Sequence, residues 1–264
     1  MEWGDVFKNY YFWFVLISLL CLTLERIWPW RQQFLLRDQW FQDIFWSIFN
    51  IYLFSIIFKE LTNKTDSHFN DLINIIHLDS LKSMIKIQNE SLLLQIFIGL
   101  IFKDFIEWLI HNLLHRIPYL WKIHQLHHSI KIMDWIGNTR FHFLEIIVYK
   151  FLKYLPLIFL QFSFEALLII DIISTLIGHL NHSNLKITWG PFKYIFNSPA
   201  MHIWHHDKTN HYPKGQNFGI VFSIWDWIFQ TAYMPDGQPK ELGFANEEKY
   251  PTDIIRRLLW PFYK

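Results

Sequence analysis

A single cysteine, Cys21, occurs in the 264 residues. It rules out an intramolecular disulfide, a thiolate metal cluster and a CxxCH haem attachment. Charge is sparse as well: 18% of residues are Asp, Glu, Lys or Arg, with a net charge of +1 and a pI near 7.9. Such a balance offers nucleic acid no basic field, and no run of like charges marks an interaction tail. Gly/Ser-rich and Pro-rich linkers are missing, so the chain reads as one domain, residues 1–264. The N-terminus shows neither a basic leader nor a small-residue cleavage site, so its first apolar run is expected to persist in the mature protein. There is no Gly-rich dinucleotide fingerprint and no flavin motif, and no histidine is followed by Glu, which excludes the HExxH zinc-protease motif.

Apolar residues are abundant instead. The chain is 52% hydrophobic and 19% aromatic, with 14 Trp, a composition that points to a membrane protein. Apolar runs near 10–27, 40–58, 92–110, 143–160 and 164–180 predict four to five membrane helices, each close to the length that spans a ~30 Å hydrocarbon core. The last two are read as a hairpin with Gln161, Ser163 and Glu165 at its tip and with Lys150 and Lys153 snorkelling at its entry. Lys103, Asp104 and Glu107 interrupt the third run and are expected to leave the bilayer core or face a polar interior, and Asp171 is expected to face the interior or the metal cap. Leu61 to Glu90 reads as an amphipathic surface segment carrying His68 and His77, and Thr252 to Lys264 as an interfacial helix. Arg31, Arg37, Arg116, Lys122, Lys131 and Arg140 fall on one side of this layout, which the positive-inside rule makes cytoplasmic.

The remaining stretches, 111–142 and 181–264, are rich in histidine. WKIHQLHHS holds His124, His127 and His128, and MHIWHHD repeats the HxxHH spacing with His202, His205 and His206. His111 and His115 form an HxxxH pair, His179 and His182 an HxxH pair. On a helix, positions three and four apart share a face, so each group can converge on one point. Ten imidazoles exceed what one first-row ion takes, but they suit two ions with about five each. The reading is an all-α membrane bundle with a histidine-rich di-metal cap.

These stretches, with DFIEWLIHNLLH (Asp104 to His115), HLNHSN (His179 to Asn184) and NFGIVFSIWDWIFQT (Asn217 to Thr231), resemble the fatty acid hydroxylase and sterol desaturase superfamily of membrane di-iron enzymes. The resemblance covers roughly residues 98 to 236. TRFHFLE, Thr139 to Glu145, looks like bacterial members. The family often carries a longer first box, and a Gly where this chain has Gln230. The resemblance implies a cytosolic cap with two iron ions, dioxygen as co-substrate, and hydroxylation of a fatty acyl, sterol or alkyl-glycerol lipid, in a bacterial inner membrane or the endoplasmic reticulum. The implied ligands are His111, His115, His124, His127, His128, His179, His182, His202, His205 and His206.

Around the ligands, Asp104, His142, Asn181, Asn184, Asp207, His211 and Asn217 are candidates to orient histidine rings. An alkyl C–H bond gives acid or base no handle, so the metals carry the chemistry in a water-poor pocket, for which the hairpin is the candidate, and no protein group is assigned as catalytic. Residues of that hairpin such as Phe151, Tyr154, Leu157, Phe164 and Leu168 are candidates to line a lipid tunnel. Electrons must come from a separate reductase, cytochrome or ferredoxin. Three alternatives stand beside hydroxylation: desaturation at the same centre, a membrane metal transporter, and a bis-histidine haem electron carrier. A transporter would place its ligands in mid-membrane, and haem would leave eight histidines unexplained.

Overall fold

The computed structural model describes residues 7–53, 56 and 85–263. The amphipathic segment expected from Leu61 lies, up to residue 84, outside the described residues, as do His68, His77 and most of the second apolar run beyond residue 53. Among the described residues there is no β-strand, only isolated bridges such as Phe196 with Phe222.

Helix α1 is Tyr10–Ile27, capped by the Asn9 side chain. It is followed by α2 over residues 40–53. Helix α3, Leu92–Arg116, runs straight from the third apolar stretch into the HxxxH pair. Pro118 then opens α4, Pro118–His128, after the one-residue corner at Ile117, because proline has no N–H to continue α3. That corner folds the HxxHH box of α4 back against the end of α3. Helices α5, Phe143–Phe159, and α6, Phe164–His182, form the hairpin, and Ser163 caps α6. Short helices α7, Pro199–His205, α8, Ile224–Ile228, and α9, Ile254–Leu259, complete the cap.

Helices α3 and α6 are central: α3 packs on α4, α5 and α6, while α6 packs on α1, α3 and α7. Helices α1 and α6 are long and apolar enough to cross a bilayer. Helix α3 has the length but carries Lys103, Asp104 and Glu107, all buried. Val15, Leu16, Leu19 and Leu20 of α1, Phe97 of α3, and Phe151 and Leu152 of α5 are exposed instead. Apolar groups outside and charges inside describe an all-α membrane protein with a histidine-rich interior.

Three expectations change. Lys153 does not snorkel: it is buried, with Nζ 2.7 Å from Glu107 Oε1, and Lys150 lines the same interior cavity. Of the hairpin residues expected to line a tunnel, Phe151 and Phe164 are exposed. The C-terminal segment is only partly interfacial. Ile254, Leu258 and Trp260 pack on Trp46, Leu126, Phe244 and Tyr250, leaving Ile255 and Phe262 exposed.

The cap is fastened by buried charge pairs. Arg37 donates to both Asp134 and Asp43, and Arg140 to Asp43, Gln39 and Ser129. The Glu25 carboxylate at the end of α1 accepts from the backbone N–H groups of Trp135 and Asn184. Removing one partner of such a pair strands a buried charge, at a cost of about 3–5 kcal/mol.

Candidate metal centre

Helix α3 contributes His111 and His115, which lie one turn apart on the face that carries Lys103 and Glu107. Helix α4 contributes its box from the opposite arm of the corner, α6 contributes His182 at its last residue, and α7 with its C-cap contributes His202, His205 and His206. The rings sort into two groups. His111, His115, His124, His128 and His205 form one, and His127, His182, His202 and His206 the other. Within each group the candidate ligand atoms all lie within 4.8 Å of one another. The α4 box is divided between them: His124 and His128 point one way, His127 the other.

Hydrogen bonds on the outer nitrogens fix the tautomers. His111 Nδ1 donates to the Phe218 carbonyl at 2.8 Å, and His205 Nδ1 to the Gln216 carbonyl at 2.7 Å. His127 Nδ1 donates to the Arg140 carbonyl at 3.3 Å, and His182 Nδ1 to the Gly178 carbonyl at 2.9 Å. His124 Nδ1 donates to Glu145 Oε1 at 2.7 Å. A carbonyl only accepts, so in the four neutral rings that meet carbonyls the proton sits on Nδ1 and Nε2 is a bare lone pair, and an ionised Glu145 sets the same tautomer in His124.

Those lone pairs face one another. His111 Nε2 is 3.2 Å from His124 Nε2, and His127 Nε2 is 3.2 Å from His182 Nε2. Burial, with repulsion between neighbouring rings, holds His124, His127, His128, His202, His205 and His206 well below the usual imidazole pKa of 6.5, so protonation does not relieve the contact. Two lone pairs at that separation repel unless they share a cation. Ligands at about 2.1 Å from one ion stand roughly 3.0 to 3.4 Å apart, depending on whether they meet at square or tetrahedral angles. His205 Nε2 and both nitrogens of His206 are also buried with no hydrogen-bond partner among the described residues. The residues fit bound metal ions.

His179 stands apart from both groups. Its Nδ1 accepts from Asn138 Nδ2 at 2.9 Å, and its ring lies between Trp135 and Phe14. Most of the residues expected to orient the rings hold the backbone instead, while Asp207 and His211 pair with each other. Asp104 accepts from the N–H groups of Val221 and Phe222 and from Trp225 Nε1, because it sits two helical turns, about 10 Å, from His111. His142 caps α5 and meets the Leu258 carbonyl, Asn181 donates to Ile220, Asn184 bonds Arg31, and Asp207 accepts from His211. Asn217, at φ +56, clamps Met201 and Tyr233 through its amide.

Two carboxylates missed from sequence matter more. Glu145, in the first turn of α5, holds His124. Asp226 accepts from the N–H groups of Phe218 and Gly219, from Trp108 Nε1 and from Thr231 Oγ1, which fixes the segment whose carbonyls hold His111 and His205. Both lie within the stretches that carried the resemblance, which was the available signal. Gln230 occupies the left-handed region at φ +58, where a Gly is unstrained.

A fatty acid hydroxylase model matches residues 96–231, more than half of the chain and all four histidine groups. The chain belongs to the fatty acid hydroxylase family. Among curated relatives of this hydroxylase-family chain, an ornithine lipid hydroxylase of Rhizobium tropici is 32% identical over 170 residues, 64% of this chain and 50% of that protein. Alkylglycerol monooxygenases of Caenorhabditis elegans and Homo sapiens are each 30% identical over 138 residues, spanning 50% and 48% of this chain and 26% and 28% of theirs. The chain thus spans half or less of the length of these relatives. No solved structure matches it.

Proposed function

We propose that the protein is a membrane-bound, dioxygen-dependent di-iron hydroxylase acting on a lipid C–H bond of a fatty acyl, sterol or alkyl-glycerol chain. The observation that supports this reading best is the pair of histidine groups, with Nε2 lone pairs converging, opening together onto one cavity between the helices. The five-histidine group would hold one ion and the four-histidine group the other. The lower histidine count of the second group favours a position there for a non-protein ligand. All nine donors are neutral imidazoles, a donor set that suits iron as it suits zinc, copper and nickel, so the choice of iron rests on the family.

When bound, the two ions supply reductive activation of dioxygen and oxidation of the C–H bond. The balance is RH + O2 + two electrons + two protons giving ROH + H2O, and the two electrons would come from a reductase, cytochrome or ferredoxin partner. The chain's own residues position and protect. Glu145 keeps the proton of His124 on Nδ1, the Phe218 and Gln216 carbonyls do the same for His111 and His205, and Asp226 braces that segment. Burial of eight of the nine rings, with His115 half-buried, limits the access of bulk water to the centre. Basic residues in the loops around the centre favour its placement on the cytoplasmic side.

The test is anaerobic iron loading of the purified protein, followed by incubation with membrane lipid, a chemical reductant and isotope-labelled dioxygen. A hydroxylated lipid carrying the label supports the reading. A product with a new double bond and no label points to desaturation, and no lipid product at full iron occupancy overturns it.

A further inference from the structure

Two stretches of the cap, residues 189–196 and 221–229, lie along α3 on the side away from the end that carries Arg116. Just before the second stretch, the Phe218 carbonyl meets His111. Seven residues earlier on α3, about 10 Å along its axis, Asp104 accepts from the N–H groups of Val221 and Phe222 and from Trp225 Nε1. The first stretch is fastened to the second. The Asn197 N–H donates to the Val221 carbonyl and the Ser223 N–H to the Ile195 carbonyl, each at 2.9 Å. Ser223 Oγ and Trp227 Nε1 both donate to the Lys193 carbonyl. Phe229 stacks on Phe105 and Trp108 of α3.

The outer surface of this pair is apolar. Phe192 is 62% exposed and Ile228 57%, and Tyr194, Ile195, Phe196 and Phe229 are exposed beside them. Single exposed apolar side chains are ordinary, whereas a contiguous patch marks an interaction surface. The patch runs on into Phe102 and Leu109 of α3, which are exposed on the helix face that carries Phe105.

The level of the patch says what covers it. Lys103, next to Asp104, donates to Ser174 Oγ of α6 at 2.8 Å, and Tyr10 Oη of α1 is 2.8 Å from Oγ1 of the adjacent Thr175. The Asp104 contacts therefore stand level with the first turn of α1. The other end of α1 is joined to the cap through Glu25, and the exposed Val15, Leu16 and Leu19 lie between. Lipid that covers the outer face of α1 down to Tyr10 reaches the patch as well.

Irregular backbone at such a depth persists only where protein groups satisfy it. Asp104 takes two of its N–H groups, and Asp226 takes those of Phe218 and Gly219. The indole N–H groups of Trp108, Trp225 and Trp227 all donate inward, leaving their surroundings free of unmet donors from these rings. Lys193, the one charged residue of 189–196, lines a cleft with Lys186 and Asp236. That path takes its ammonium group away from the apolar surface.

We infer that residues 189–196 and 221–229 form a wedge that enters the leaflet nearest the cap, with Phe192 and Ile228 facing lipid. The wedge stands whichever reaction the metals carry out. Because the Gln216 and Phe218 carbonyls that hold His205 and His111 belong to the same segment, the wedge fixes the metal centre at the level of that leaflet.

The experiment places nitroxide labels on the full-length protein in phosphatidylcholine vesicles, on a Cys21→Ser background. Phe192→Cys and Ile228→Cys report the wedge independently, each in its own variant. Val15→Cys on α1 is the lipid reference, and Lys240→Cys, exposed in a cap loop, is the water reference. Dissolved oxygen concentrates in hydrocarbon, and a water-soluble nickel chelate stays out of it. The wedge labels should match Val15→Cys, losing nearly all the nickel relaxation seen at Lys240→Cys while keeping that of oxygen.

Nickel access equal to that of Lys240→Cys places the stretches in water and overturns the inference. Shielding from both reagents, with or without spin–spin broadening, means that protein covers the surface, a second copy where broadening is seen, and overturns it too. A wet Val15→Cys removes the reference level and does the same. Dry wedge labels in a protein that yields no oxidised lipid uphold the wedge and sink only the hydroxylase reading.

Discussion

His127 and His182 face each other through bare Nε2 atoms 3.2 Å apart, each ring having its Nδ1 proton committed to a backbone carbonyl. Without a cation this contact is repulsive, and the same holds for His111 and His124 in the other group. Metal removal is therefore expected to destabilise the protein. A ligand present at a thousand times its dissociation constant stabilises by about 4 kcal/mol, which in a chain of this size moves the melting midpoint by roughly 10 °C. Thermal unfolding before and after chelation checks this, and an unchanged midpoint contradicts it.

His182→Ala and His179→Ala should separate cleanly although they sit on adjacent turns. The first removes one of four rings from its group and should release an ion. The second alters a ring held by Asn138 and Trp135, and should leave metal content unchanged. Metal analysis of the two variants is the measurement, and loss of an ion from His179→Ala would return that residue to the ligand set.

Glu145→Gln keeps an acceptor for His124 Nδ1 but loses its charge, and Glu145→Ala loses both. Changes at such partners weaken metal affinity about 10–100-fold. Competition with a chromophoric chelator should show one ion weakened, in the order Ala beyond Gln, and the ion of the four-histidine group unaffected. Uniform weakening of both ions would mean that Glu145 acts on the fold as a whole.

The histidines also set the acid limit. In the folded chain His124, His127, His128, His202, His205 and His206 titrate well below 6.5, so between those values and 6.5 the unfolded chain binds more protons. Their contribution to stability is complete above 6.5 and is lost as pH falls through the folded values. Protons compete with metal in the same direction. Unfolding midpoints and metal retention between about pH 8 and about pH 5 should fall together on the acid side, and a protein indifferent over that range would refute it.

Much of this was legible because it is local. The i, i+3 and i, i+4 spacing of His111 and His115, of the two HxxHH boxes and of His182 follows from helix geometry alone. The division of the α4 box was not legible, since whether His127 joins His124 or His182 depends on the corner at Ile117 and on how α6 and α7 dock. Nor were the carbonyls of Phe218, Gln216 and Arg140, because every residue has one and only the fold aims it. Asp104 shows the opposite error: it shares a helix face with His111 but lies two turns away, and the backbone of Val221 and Phe222 takes it first. The apolar surroundings of Lys153 predict a side chain that snorkels outward, whereas the fold supplies Glu107 as an interior partner.

The central claim is that nine histidines hold two metal ions, and metal content tests it most directly. Detergent-purified, anaerobically handled protein should contain about two irons per chain. His128→Ala, in the five-histidine group, and His206→Ala, in the four-histidine group, should each weaken a different ion, and the double variant should lose both. Stoichiometric haem, or two ions retained in the double variant, would contradict the account.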